Sequence, residues 1–328
     1  MSVNVRLLLT GLLACSMVLQ AAADPLPSWN DTHAKTAIVE YVASVTDPTS
    51  EQFVPVAARI AVFDNDGTLW SEQPVYFQLT YALDTLKEKA KKDPSLINSP
   101  ALKAAAAGDL KTLMAGGMSG LQEVINASHS DMSVMAFQQS VKQWLATARH
   151  PKTNMRYDAM IYQPMLELLS YLRDNGFTTY IVSGGGQQFI RAFSEKAYGI
   201  PPQQVIGTAL HAQYELIDGK PQITKKPDVS FLDDGPGKPV GIATVIGKKP
   251  IFVGGNSDGD FEMLEWGSSN ELPSFGLIVH HTDAKREFAY DRDSHIGKLD
   301  KGLKQASSRG WLVVDMKEDW AKVYPKTP

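Results

Sequence analysis

The sequence predicts an α/β fold, a doubly wound parallel sheet with a helical cap inserted after its first strand. Three observations carry that reading. A wholly apolar run, Ile60 to Phe63, stops at two carboxylates, Asp64 and Asp66, followed by Gly67; a buried parallel strand ends this way where open sheets bind ligands, at their carboxyl edge. Residues 71–158 hold amphipathic helical patterns and no convincing strand. From 161 onward helix and strand alternate, the pattern that builds parallel crossovers.

The leader stands apart from that fold. Arg6 precedes an apolar stretch over 7–19, and Ala21-Ala22-Ala23 offers a small-residue cleavage site before Asp24, the layout of a secretory signal peptide over 1–23. The stretch is too short for a comfortable membrane span. Cys15 is the only cysteine and lies inside it, so the mature protein would contain neither thiol nor disulfide. The expected location is outside the cytoplasm, in a bacterial periplasm. The alternative is a lipoprotein anchored through Cys15, since Leu12-Leu13-Ala14-Cys15 resembles a lipoprotein cleavage box.

The remaining chain is long enough to bury a sizeable core. With 32 Lys plus Arg against 36 Asp plus Glu, the formal net charge is -4, which gives no support for a nucleic-acid or anionic-membrane binder. A short helix over 33–44 leads by a Pro-containing connection to the first strand. Helices are expected over 81–91, 100–107, 110–114, 121–127 and 134–148, broken by Gly116-Gly117 and by Asn, Ser and Asp turns. A helix over 165–175 is closed by Gly176, a strand follows at 178–182, then a helix at 187–197. Buried strands are expected at 251–253 and 275–280, and a final strand begins near Trp311. The core is thus expected to comprise 24–70 and 159–328, with 71–158 as the cap.

Loops at the carboxyl ends of these strands carry the chemistry. Asp64 and Asp66 repel unless a cation or a shared proton lies between them, which suggests a divalent metal, acid/base work, or both. Ser183-Gly184-Gly185-Gly186 puts a hydroxyl and free N–H groups ahead of a helix, an arrangement suited to phosphate. Gly254-Gly255-Asn256-Ser257-Asp258-Gly259-Asp260 adds oxygen ligands of the kind a hard cation such as Mg²⁺ requires. Lys238, before a short helix, brings a point positive charge suited to a phosphoryl group.

Taken together, these residues resemble the haloacid dehalogenase superfamily of hydrolases, in its phosphoserine-phosphatase-like branch, and specifically an exported bacterial member. Asp64 to Leu69 looks like the first motif, Ser183 the second, Lys238 the third and Gly255 to Asp260 the fourth, and the segment 214–223, with its Asp218-Gly219-Lys220 turn, is similar to that branch's hairpin. The resemblance implies a Rossmannoid core and hydrolysis of a small phosphorylated molecule. Asp64 would be the nucleophile that forms an aspartyl-phosphate, and Asp66 the general acid and base. Ser183, Gly184 and Lys238 would bind phosphate, Asp64, Asp66, Asn256 or Asp258 would hold Mg²⁺, and Asp260 would support them.

Two departures qualify the resemblance. Asn256 stands where the fourth motif usually has its metal-binding aspartate, so either this amide is a weaker ligand or Asp258 takes over. Phosphoserine phosphatases carry a glutamate nine residues after the nucleophile, whereas this chain has Gln73 there and Glu72 one earlier. Glu72, Trp70, Tyr76 and Arg156 are within expected reach of the leaving group. Alternatives that keep the same fold are phosphotransfer to an alcohol acceptor and a catalytically weak protein that binds a phosphorylated ligand.

Overall fold

The computed structural model describes residues 24–129 and 132–325. The expected signal peptide, with Cys15, lies outside the described residues. In chain order, α1 (His33–Thr46) precedes β1 (Ile60–Phe63), and helices α2 (Phe77–Lys92), α3 (Pro100–Ala107), α4 (Leu110–Ala115), α5 (Gly117–His129) and α6 (Val134–Thr147) follow. The chain then forms α7 (Gln163–Asp174), β2 (Thr178–Gly186), α8 (Gln187–Arg191), α9 (Ser194–Tyr198), β3 (Val205–Ile217) and β4 (Lys220–Phe231). It closes with α10 (Gly237–Val245), β5 (Phe252–Gly255), α11 (Phe261–Ser268), β6 (Phe275–Thr282), β7 (Ala289–Tyr290), α12 (Lys301–Arg309), β8 (Leu312–Asp315) and α13 (Met316–Asp319).

These strands form one sheet in the order β4-β3-β2-β1-β5-β6-β7, with β8 also pairing β6. The pairs β1·β2, β2·β3, β1·β5, β5·β6 and β6·β8 are parallel, and β3·β4 and β6·β7 are antiparallel. The chain runs outward from β1 to β2 and β3, then returns to lay β5 on the other side of β1. The crevice between β1 and β5 is therefore the switch point at which doubly wound sheets bind ligands.

Sequence pattern explains why the strands sit there. All four residues of β1 are buried, as a strand covered by helices on both faces must be. In α7, Met165, Leu168, Leu169 and Leu172 are buried, an i, i+3, i+4, i+7 stripe. Each such side chain contributes about 1.5–3 kcal/mol when removed from water.

The differences from expectation lie at element ends. The strand expected at 178–182 continues through Ser183 to Gly186, because β3 pairs with it as far as Gly186↔Thr208. The helix expected at 187–197 is two short helices separated at Ala192 and Phe193. The hairpin expected at 214–223 is longer, running from Val205 to Phe231. No helix among the described residues is long and apolar enough to cross a membrane.

Candidate active site

The site is built where β1 meets β5. Asp64 directly follows β1, and its N–H donates to the Gly254 carbonyl at 2.9 Å, extending the β1·β5 pairing by one residue. The Thr68 hydroxyl donates to Asn256 Oδ1 at 3.1 Å, which ties the first loop to the fourth. Between them Gly67 turns the chain at φ 75°, and a Cβ there would lie 2.1 Å from Asn256 Nδ2. Only glycine meets both conditions.

Lys238 enters from α10. Gly237 makes the preceding turn possible, since a Cβ on it would lie 2.1 Å from the Leu232 carbonyl. The buried Lys238 ammonium spends all three donors inside the protein, on Asp64 Oδ1 at 2.7 Å, Asp260 Oδ1 at 2.6 Å and the Val182 carbonyl at 3.0 Å. The two carboxylates beside it hold Lys238 charged, against the effect of burial. The other oxygen of Asp260 accepts from the N–H groups of Asn256 and Ser257 at 2.9 and 3.0 Å and from the Ser257 hydroxyl at 3.2 Å. Asp260 thus organises the fourth loop while it holds the lysine.

Asp66 shares the first loop with Asp64. The Trp70 indole N–H donates to its Oδ1 at 2.8 Å, and its Oδ2 faces Gly185 and Ser183, 3.2 Å from the point a Gly185 Cβ would occupy. Burial raises the pKa of Asp66, and burial together with the neighbouring Asp260 raises that of Asp64 well above the ordinary carboxylate value. Ser183 is buried and its hydroxyl accepts from the Gly185 N–H at 3.1 Å. Asp64, Asp66, Ser183, Gly184, Lys238 and Asp260 all line one cavity of about 320 Å³ beneath α5, α6 and the β3–β4 hairpin.

The fit to Mg²⁺ rests on the charge and donor chemistry of this cluster. Asp64, Asp66, Asp260 and Glu72 bring four carboxyl groups to the neighbourhood of one ammonium, Lys238. A buried excess of negative charge is what a hard divalent ion neutralises. Among the described residues, no three Asp, Glu, His or Cys side chains converge at metal-ligand spacing. A Mg²⁺ ion, which keeps several waters and takes substrate phosphate oxygens, would need only a sparse oxygen set here, for which Asp64, the Asp66 backbone carbonyl and the Asn256 amide oxygen are the candidates.

Two expected residues lie elsewhere. Asp258 does not turn toward Asp64; its carboxylate accepts the N–H groups of Asp300 at 3.1 Å and Gly302 at 2.9 Å, where the exposed N–H groups at the start of α12 attract an anion. Arg156 is exposed in a two-pronged ion pair with Asp158 at 2.8 and 2.9 Å and does not line the cavity. Trp70 is fully buried, stacked 4.6 Å from Phe193, whereas Tyr76 does line the cavity.

Glu72 has a different setting from the one expected. It is buried, it lines the cavity, and its Oε1 accepts from Asn256 Nδ2 and from the Tyr290 hydroxyl, each at 2.8 Å. A carboxyl thus stands behind the amide that replaces the usual aspartate, with its pKa raised well above the ordinary value by burial. Several neighbours carry no motif. Gln78 accepts from the Gly186 N–H at 2.7 Å, the Tyr198 hydroxyl donates to Asn65 Oδ1 at 3.0 Å, and buried His281 lies 2.8 Å from the Gly67 carbonyl. Nothing in the sequence analysis pointed to Tyr198, Tyr290 or Gln78.

Comparison with known proteins follows the same lines. The sequence model of the haloacid dehalogenase-like hydrolase family matches residues 61–265, more than half of the chain. A conserved functionally unknown protein from Anaerococcus prevotii DSM 20548 has a similar structure, with a TM-score of 0.54 and 17% identity over 79% of this chain and 89% of its own. Looser likenesses are a protein with unknown function from Bordetella pertussis Tohama I (TM-score 0.47, 16% identity, 79% and 98% covered) and a phosphoserine phosphohydrolase-like protein from Francisella tularensis subsp. tularensis SCHU S4 (TM-score 0.39, 18% identity, 76% and 98% covered). The first bears on the fold alone, and the other two carry no argument. No curated protein matches the chain.

Proposed function

This chain belongs to the haloacid dehalogenase-like hydrolases, and from that premise we propose that it is a Mg²⁺-dependent phosphomonoesterase working through an aspartyl-phosphate on Asp64. One observation carries the reading: a fully buried lysine bridges the carboxylate at the end of β1 and the aspartate that organises the loop after β5. That arrangement leaves Asp64 aligned by Lys238 and facing a cavity that also contains Ser183 and the Gly184 to Gly186 backbone.

The free oxygen of Asp64 attacks phosphorus, a phosphorus–oxygen bond forms, and the bond to the leaving alkoxide breaks. Asp66 protonates that alkoxide; burial raises its pKa, which favours the protonated form an acid needs. In the second half Asp66 takes a proton from water, the water oxygen bonds phosphorus, and the acyl phosphate bond to Asp64 breaks. The Ser183 hydroxyl and the Gly184 backbone hold the phosphoryl oxygens, where charge spreads in the transition state, and the Lys238 ammonium, whose donors are engaged by Asp64, Asp260 and the Val182 carbonyl, acts on them through its charge. When bound, Mg²⁺ would be held by Asp64, the Asp66 carbonyl and Asn256 and would neutralise the negative charge of the phosphoryl group. The expected export places this reaction outside the cytoplasm.

The test is release of inorganic phosphate from a panel of phosphomonoesters, with Mg²⁺ or EDTA, by the protein and by Asp64→Asn. Turnover that needs metal and disappears in Asp64→Asn supports the reading. Turnover that persists in Asp64→Asn overturns it.

A further inference from the structure

The cavity that contains Asp64 is longer than a phosphate needs, and its two ends differ. At one end are Asp64, Ser183 and Lys238; at the other are His129 and Lys225, with Leu79, Ile125, Leu210 and Val229 among the walls between. Lys225 is 4% exposed. Its ammonium lies 3.2 Å from the centroid of the Phe137 ring, and among the described residues it has no hydrogen-bond or ion-pair partner.

An unpaired buried ammonium is costly. Burial lowers the pKa of Lys225 to about 7, and the adjacent His129 is held well below its usual value by burial and by Lys225 itself, so the imidazole is neutral. The face of Phe137 offsets part of the cost through a cation–π contact. The rest is offset if an anion enters the cavity.

The strand register sets the distance. Thr208 marks the phosphate end, since its hydroxyl donates to the Gly184 carbonyl at 2.7 Å. Lys225 pairs with Ala212 on β3, four residues further along, and at about 3.3 Å per residue this is about 13 Å. The hairpin is fixed at that level, because the Lys225 N–H donates to the Met132 carbonyl at 2.9 Å and Thr224 bridges to Ser133. Lys225 is therefore held against the turn before α6.

We infer that Lys225 is a specificity residue that anchors a carboxylate on the far end of the leaving group, so that the preferred substrates are phosphomonoesters with an apolar body and a terminal carboxylate. A single charge argues for a monoanion over a second phosphate: one ammonium faces the cavity there, and the histidine beside it is neutral. The inference rests on the phosphomonoesterase reading for its substrate class.

The experiment compares ω-carboxyalkyl phosphates with alkyl phosphates of matched and increasing chain length. At one length the carboxylated ester should have a KM at least about tenfold lower, the effect of one buried charge-assisted pair, with a smaller change in kcat. In Lys225→Met, which keeps the volume and removes the charge, that preference should vanish. Absence of any preference at every length in the unaltered protein, or a preference that survives in Lys225→Met, overturns the inference; the first arm needs no variant to fold.

Calorimetric binding of ω-carboxyalkylphosphonates against alkylphosphonates reads the same anchor without turnover. A tenfold binding preference that depends on Lys225, in a protein that hydrolyses none of the esters, would overturn the phosphomonoesterase reading and leave the Lys225 assignment standing. Hydrolysis without a carboxylate preference would do the reverse.

Discussion

Replacing Lys238 with methionine tests the bridge on which the site is built. Three hydrogen bonds, of 2.7, 2.6 and 3.0 Å, end at its ammonium. Removing one partner from a buried ion pair costs about 3–5 kcal/mol, because the remaining charge has no counterpart. The two carboxylates are not equally exposed to that loss. Asp260 keeps three donors on its other oxygen, whereas among the described residues no side chain other than Lys238 donates to Asp64. Asp64 should therefore be the group that takes up a proton.

The pH dependence follows from that assignment. A carboxyl whose folded pKa is raised stabilises the fold below its unfolded pKa and loses that contribution as pH rises through the folded value. Asp64 is already raised by burial, and losing Lys238 raises it further. The stability deficit of Lys238→Met, measured by urea denaturation, should be about 3–5 kcal/mol at high pH and shrink as pH falls toward the ordinary carboxylate value. A second change, Asp64→Asn, should restore more of the lost stability than Asp260→Asn does. Phosphate release should fall about 10²- to 10³-fold. A variant as stable as the parent at high pH, or one rescued better at Asp260, would refute this account.

Three further outcomes are expected. Asn256→Asp sets a carboxylate against Glu72 Oε1, which now accepts from the Asn256 amide at 2.8 Å; it should lower stability at high pH by about 1–3 kcal/mol, and Glu72→Gln in the same chain should restore it, both read by denaturant titration. Asp258→Asn should cost about 1 kcal/mol through the start of α12 and leave the Mg²⁺ concentration for half-maximal phosphate release unchanged. Asp233 is buried and burial raises its pKa to about 7, so its contribution is present below the ordinary carboxylate value and lost as pH rises to 7; Asp233→Asn should therefore raise thermal stability at high pH, by at most about 4 kcal/mol, and give no gain near pH 4.

What the sequence shows of this site depends on how far apart the partners lie. Asp64, Asp66, Ser183, Lys238 and Asp260 were legible because each stands at the end of an apolar strand or the start of a helix, and a parallel sheet delivers those positions to one edge. The choice between Asn256 and Asp258 was left open because the partners of Asp258, Asp300 and Gly302, lie about forty residues downstream, where α12 begins. Glu72, expected within reach of the leaving group, does line the cavity, but its hydrogen bonds to Asn256 and Tyr290 had no local signal. Nothing in the sequence placed Lys225 at the far end of the cavity. In a hairpin of alternating polar and apolar residues a lysine reads as solvated, and it is Phe137 of α6, far away in sequence, that lies against the ammonium. The topology was legible from periodicity, while the ends of β2 and of α8 and α9 were set by pairing with β3 and by packing.

The β3–β4 hairpin has a second consequence, for solubility. β4 is the outermost strand on its side of the sheet, and near its tip Tyr214, Leu216 and Ile223 are exposed, a combination that invites another chain to add a strand. Pro221 and Pro227 remove two N–H donors from that edge, and between them the Lys225 N–H is already engaged by the Met132 carbonyl. On the opposite border β6 carries β7, two residues long, and β8, four residues long. The edge of β4 is thus interrupted by two prolines and one engaged N–H, which blunts it as a template for a neighbouring strand beside the apolar tip.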